Sequence, residues 1–232
     1  MVSESYYIKF CWGARKETAE ECAVRLIHFL KDLANIDSVF NSWTMVGGKK
    51  WRCDRQPAKT QVIKWLTESI SRRDIDNHEL PELGLSAAFY TNERDSPLAL
   101  NIKCSSYSPW ILNVCSISLP ATGKVLDRIL KVSILLKISK SIVLNWQPEH
   151  GVISYHPCAV GQSPSNFLLD AGWITYLSTN QKNIILPNSF LVEEHDCGRF
   201  VIITNELFTD ANTKHLTALK ELSTLLTSHK IS

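Results

Sequence analysis

A β-strand followed by an amphipathic helix recurs three times in this chain, near residues 6–34, 110–138 and 199–228. The residues themselves do not repeat, so the recurrence is one of architecture. The first unit is the clearest. Tyr6 to Trp12 alternates and is rich in aromatics, the pattern of a half-buried strand, and Gly13 ends it. Thr18-Ala19-Glu20-Glu21 then fits a capping box, with Thr18 accepting from first-turn N–H groups and Glu21 reaching back. Ala19, Cys22, Ala23, Leu26, Leu30 and Leu33 follow at helical spacings and line one face.

The remaining segments fill in around these units. Residues 36–59 read as irregular, and Val62, Ile63, Leu66 and Ile70 predict a shorter helix. Leu85–Tyr90, Leu98–Cys104 and Trp110–Leu119 read as strands, with a turn over Asn92–Pro97. An apolar helix is predicted from Lys124 to Ile138, then strands over Ile142–Trp146, Gly151–Tyr155, Gly172–Leu177 and Phe200–Thr204. A last helix covers Thr213–Ser228, with Leu216, Leu219, Leu222 and Leu226 inward. No linker or composition shift cuts the chain. The expectation is an α+β fold: a single domain over residues 1–232, mostly antiparallel sheet with helices packed mainly on one face.

The 232 residues carry a formal charge of only +2, with 21% charged and 44% hydrophobic side chains. That balance argues against a polyanion-binding protein and so against direct nucleic-acid binding. The start lacks the basic and apolar regions of a secretory signal, and no run approaches the ~20 apolar residues of a membrane span. The seven cysteines are odd in number and form no CxxC, which suits reduced thiols in the cytoplasm.

Chemical motifs are sparse. His156-Pro157-Cys158 and His195-Asp196-Cys197 form a repeated HxC pair, but the spacing is wrong for most structural zinc sites and Pro157 disturbs the first pair. Cys158 with His195 or His156, oriented by Asp196 or Asn166, would resemble a Cys–His nucleophile. With seven cysteines and seven histidines, such pairings also arise by chance. Gly47-Gly48-Lys49-Lys50 lacks the strand and the Lys-Ser/Thr ending of a phosphate loop and reads as an exposed turn. Glu193-Glu194 are adjacent, so on a strand they would face opposite ways, and a solvated polar loop is the simpler reading. The expectation is no catalytic residue, no metal and no cofactor. Trp43 and Trp51, in a polar basic stretch, are candidates for partly exposed binding anchors.

Charge is segregated along the chain. Residues 44–64 carry six basic groups against Asp54 alone, and 124–140 carry five against one. Residues 72–95 carry Asp74, Asp76, Glu79, Glu82, Glu93 and Asp95 against three basic groups. Residues 189–210 carry Glu193, Glu194, Asp196, Glu206 and Asp210 against Arg199. Segregated patches suit a protein partner of complementary charge.

Several pieces, taken in order, resemble one family. They are Glu4–Phe10 with Trp12-Gly13-Ala14-Arg15, then Thr18–Ala23, Arg72-Arg73-Asp74-Ile75, Pro81–Gly84 and Tyr107-Ser108-Pro109-Trp110. Trp146–Val152, Gly172–Ser178 and Gly198-Arg199-Phe200 leading to Thr204-Asn205-Glu206 complete them. Together they resemble the immunity protein 52 family of bacterial polymorphic-toxin systems over nearly the whole chain. The resemblance implies a cytoplasmic non-enzyme. It would bind and neutralise a cognate secreted toxin carrying a restriction-endonuclease-like DNase domain, delivered by type VI secretion. The family offers no catalytic residues to carry over, and its Gly, Trp and Pro positions read as fold-forming. A nuclease groove is positive, so the expected contact residues are Glu79, Glu82, Glu93, Asp95, Glu193, Glu194 and Asp196, with Trp43 and Trp51. The alternatives are an effector chaperone or adaptor that binds without inhibiting, and an enzyme using Cys158 or a His/Cys metal site.

Overall fold

The computed structural model describes residues 5–93, 97–156, 170–181 and 183–228. Its first strand, β1 (Ser5–Trp12), buries Tyr6, Ile8, Phe10 and Trp12 on one face, as the alternation requires. The helix that follows, α1 (Ala19–Ile36), begins on a complete capping box. Thr18 Oγ1 accepts from the Glu21 amide at 3.1 Å, and a Glu21 carboxylate oxygen accepts from the Thr18 amide at 2.7 Å. The Thr18 amide and hydroxyl both donate to the Glu21 carboxylate and hold it below the usual range.

The other strands are β2 (Ser42–Met45), β3 (Lys50–Arg52), β4 (Leu85–Thr91), β5 (Ala99–Cys104) and β6 (Asn113–Ser118), then β7 (His150–His156), β8 (Ile174–Ser178), β9 (Leu191–His195) and β10 (Gly198–Ile202). The other helices are α2 (Lys59–Thr67), α3 (Lys124–Ile129), α4 (Val132–Trp146) and α5 (Thr213–Ser228). The ten strands of the described residues join one antiparallel sheet in the order β3-β2-β4-β5-β6-β1-β7-β8-β10-β9. This is an α+β fold.

Register carries one apolar face across the sheet. Phe89 lies opposite Leu100, Leu100 opposite Ile117, Ile117 opposite Ile8 and Ile8 opposite Ile153. Helices α1, α2 and α4 cover this face, and Trp146 of α4 stacks on Trp12 at 5.8 Å. Helix α5 instead packs on the reverse of β8 and β10, where Leu177 and Val201 meet Leu222 and Leu226.

The family-like pieces build this core. Arg15 donates to the carbonyls of Trp146 and Gln147, both at 2.8 Å, and Arg25 donates to that of Asn145 at 2.7 Å, so two guanidinium groups cap the C-terminus of α4. Gln147 turns the chain with φ 49°, and Glu149 accepts from the Gly13 amide at 3.3 Å. A Cβ on Gly151 would sit 2.2 Å from the Phe10 ring, and one on Gly172 2.5 Å from the Ile153 carbonyl oxygen.

Five expectations change. Residues 36–59 hold β2 and β3 rather than irregular chain. The apolar helix breaks at Leu130 and Lys131, where Lys131 is extended. Ile142–Trp146 is the end of α4 and not a strand, because Ile138, Ile142, Val143 and Trp146 continue a buried helical stripe. Glu193 and Glu194 lie in strand β9 rather than in a loop. On α5, His215 is buried and Leu216 only half-buried; the His215 ring stacks on Phe208 at 5.3 Å.

Candidate partner-binding surface

The acidic candidates do not converge. Glu79 lies in a small hairpin closed by an Arg72–Glu79 bridge and ion pair at 3.0 Å. Glu82 follows in a single 3-10 turn (Pro81–Leu83), and its carbonyl accepts from the Tyr107 and Ser108 amides. Glu93 lies beyond the far end of β4, about 24 Å away at ~3.4 Å per residue. Asp95 lies outside the described residues. Glu193, Glu194 and Asp196 belong to β9 and its turn, seven strands from β4, or about 34 Å at ~4.8 Å per strand. The registers put Glu82 and Asp196 at one end of the sheet and Glu93 at the other.

Segregated charges also answer one another. Lys140 of the basic stretch pairs with Glu193 of the acidic one. Lys49 and Lys59 reach Glu68 and Glu20, and Arg128 grips Asp37 at 2.6 Å. Glu194 and Asp196 are exposed and make no ion pair among the described residues.

The tryptophan expectation is corrected. Trp43 and Trp51 are 0% and 1% exposed. They lie opposite each other across the β2–β3 pair, on the face the helices cover, and Phe40 stacks on Trp43 at 5.8 Å. Neither can anchor a partner. The exposed indole is Trp110, at 90%. Its corner is firmly held: Asn113 accepts from the Ser106 amide at 2.8 Å and donates to the carbonyls of Gly13 and Ser106. The Lys16 ammonium lies 5.1 Å from the centre of the Tyr107 ring in the same corner. Sequence reading placed Trp110 at the start of a strand, although Ser108-Pro109 immediately before it are turn residues.

A second exposed region is the β9 edge. Leu191 and Val192 are 46% and 42% exposed. Cys197 donates its amide to His195 Nδ1 at 3.2 Å across the tight turn to β10. Among the described residues, no three His, Cys, Asp or Glu side chains stand together as a metal site. Cys158 and Asn166 lie outside those residues. A depression of about 700 Å³ beside β3 is lined by Asn41, Ser42, Lys50, Arg52, Cys53, Asp54 and Asn92, and its lining has no histidine to activate the thiol. Burial pushes the Cys11 thiol up to about 11 and raises Cys115 as well, and a hydrogen bond with Cys22, helped by burial, raises Cys104, the state of inert core thiols.

The molecule is thus an α+β protein whose prominent features are surface patches set on a ten-stranded sheet. Its sequence matches the family model for immunity protein 52 over residues 4–230, and the chain belongs to that family. Among solved structures, a Pseudomonas aeruginosa T6SS protein, PA0821, has the same fold with a TM-score of 0.55 at 12% identity, covering 96% of this chain and 73% of that one. No curated protein sequence matches it.

Proposed function

We propose that this protein binds a cognate secreted toxin and neutralises it without catalysis, protecting the cell that makes both. The family match over residues 4–230 carries this reading. The toxin is a nuclease of restriction-endonuclease type delivered by type VI secretion, and binding takes place in the cytoplasm. Among the described residues, no helix is long and apolar enough to cross a membrane. A nuclease presents a positive groove, which suits the exposed carboxylates Glu194 and Asp196 at one end of the sheet. Trp110, on the same end and held by a hydrogen-bonded corner, supplies a preorganised aromatic anchor.

Co-expression with the toxin encoded beside the gene tests the proposal. Cells survive when both are made and die with the toxin alone. Death at full expression of this protein would overturn neutralisation and leave an adaptor. Trp110→Ala weakens toxin binding by about 2 kcal/mol with an unchanged thermal midpoint, as calorimetry and a melting curve will report.

A further inference from the structure

Among the described residues, strand β9 is the last strand of the sheet on its side, and its outer edge has a defined chemistry. The Thr179 amide bonds the Cys197 carbonyl, which fixes the alternation along β10: residues 197, 199 and 201 bond toward β8. Gly198, Phe200 and Ile202 therefore bond toward β9, engaging His195, Glu193 and Leu191. The N–H and C=O groups of Val192 and Glu194 are left pointing outward along the free edge.

Exposed apolar side chains lie on this strand and on the segments that pack beside β9 and β10. Leu191 and Val192 are on the strand. Leu144, 65% exposed, lies one helical turn beyond Lys140, which reaches Glu193. Ile185, 84% exposed, follows Ile184, whose carbonyl accepts from Arg199 of β10 on the other face. Such clustering at an open backbone edge marks an interaction site. A second copy is a poor occupant: the antiparallel register that pairs all five residues sets Glu193 against its own copy. The same carboxylates, with unpaired Glu194 and Asp196, favour lysine and arginine.

We infer that β9 accepts an extended segment of the toxin as an eleventh strand, a segment that carries basic and apolar side chains on both faces. This rests on the neutralisation reading above. Glu194 and Asp196 draw the segment in, the Val192 and Glu194 backbone groups hold it, and Leu144 and Ile185 receive its apolar side chains.

The test uses the full protein with the catalytically inactivated toxin encoded beside it. Hydrogen exchange at the Val192 and Glu194 amides slows by about tenfold or more in the complex. Val192→Pro, which removes an outward N–H and no bond to β10, weakens binding by about tenfold or more, while Val192→Ala has little effect. Glu194→Lys weakens binding mainly at low salt and covers the case in which the proline variant fails to fold. Unchanged exchange at both amides, or wild-type affinity in Val192→Pro, would overturn the inference. So would protection of the same amides by self-association without toxin. Death of co-expressing cells despite amide protection in the complex would sink neutralisation and leave the strand addition standing; no binding by the unaltered protein would end both.

Discussion

The sheet has two edges, and they are built in opposite ways. Strand β3 is three residues long, and its central Trp51 is sunk under the helix layer beside Trp43. Its outer residues are Lys50 and Arg52, and the Lys49–Glu68 pair ties the preceding turn to the end of α2. Strand β9 is five residues long, buries neither Leu191 nor Val192, and is acidic. A short edge pinned by a buried aromatic closes a sheet; a longer edge with exposed aliphatics leaves it open. The difference teaches that an edge strand's role is set by what its side chains reach, not by its position in the order.

The largest expected effect tests that pinning. Trp51→Ala removes a buried ring and should lower stability by about 3–5 kcal/mol, read by chemical denaturation. A loss as small as that of an exposed residue would mean that β3 is as loose as β9. At the other edge, Lys140→Ala removes the exposed tether to Glu193 and should cost about 0.5–1 kcal/mol in the same measurement. A smaller effect still belongs to Ile185→Ser, within about 0.5 kcal/mol because the residue is 84% exposed.

The smallest effect concerns pH at the β3 turn. The Lys49 ammonium holds the Glu68 carboxyl below its ordinary value. A depressed folded pKa gives stability that is present above the unfolded value and is lost as pH falls through the folded one. Glu68→Gln should therefore lower the thermal midpoint slightly at neutral pH and not at all in acid below both values. An equal difference at every pH would show that Glu68 acts by packing rather than charge.

Much of the interior was legible in the sequence because it is local. The capping box, the α1 face and the alternation of β1 depend on neighbours within a few residues. What escaped depends on distant partners. Trp43 and Trp51 sit in a basic, polar stretch, and only pairing with β4 turns them inward. β9 reads Leu-Val-Glu-Glu-His, with no alternation to mark it as a strand. The acidic stretches looked like two patches, yet β4 alone carries Glu82 and Glu93 to opposite ends of the sheet. The fold-forming glycines and tryptophans were recognisable; the contact surface was not, because exposure is settled by what the rest of the chain covers.

Strand β1 is early in the chain and central in the sheet, and that has a consequence in time. Its partners β6 and β7 come about one hundred and one hundred and forty residues later. At ~5–20 residues per second, a ribosome needs on the order of ten to thirty seconds to deliver β7 after β1 has emerged. For the first part of that interval, until β6 is made, the aromatic row from Tyr6 to Trp12 has neither of these strand partners. Folding through such distant pairings is slow. Strand β1 is therefore locked into the sheet only after β6 and β7 have been made.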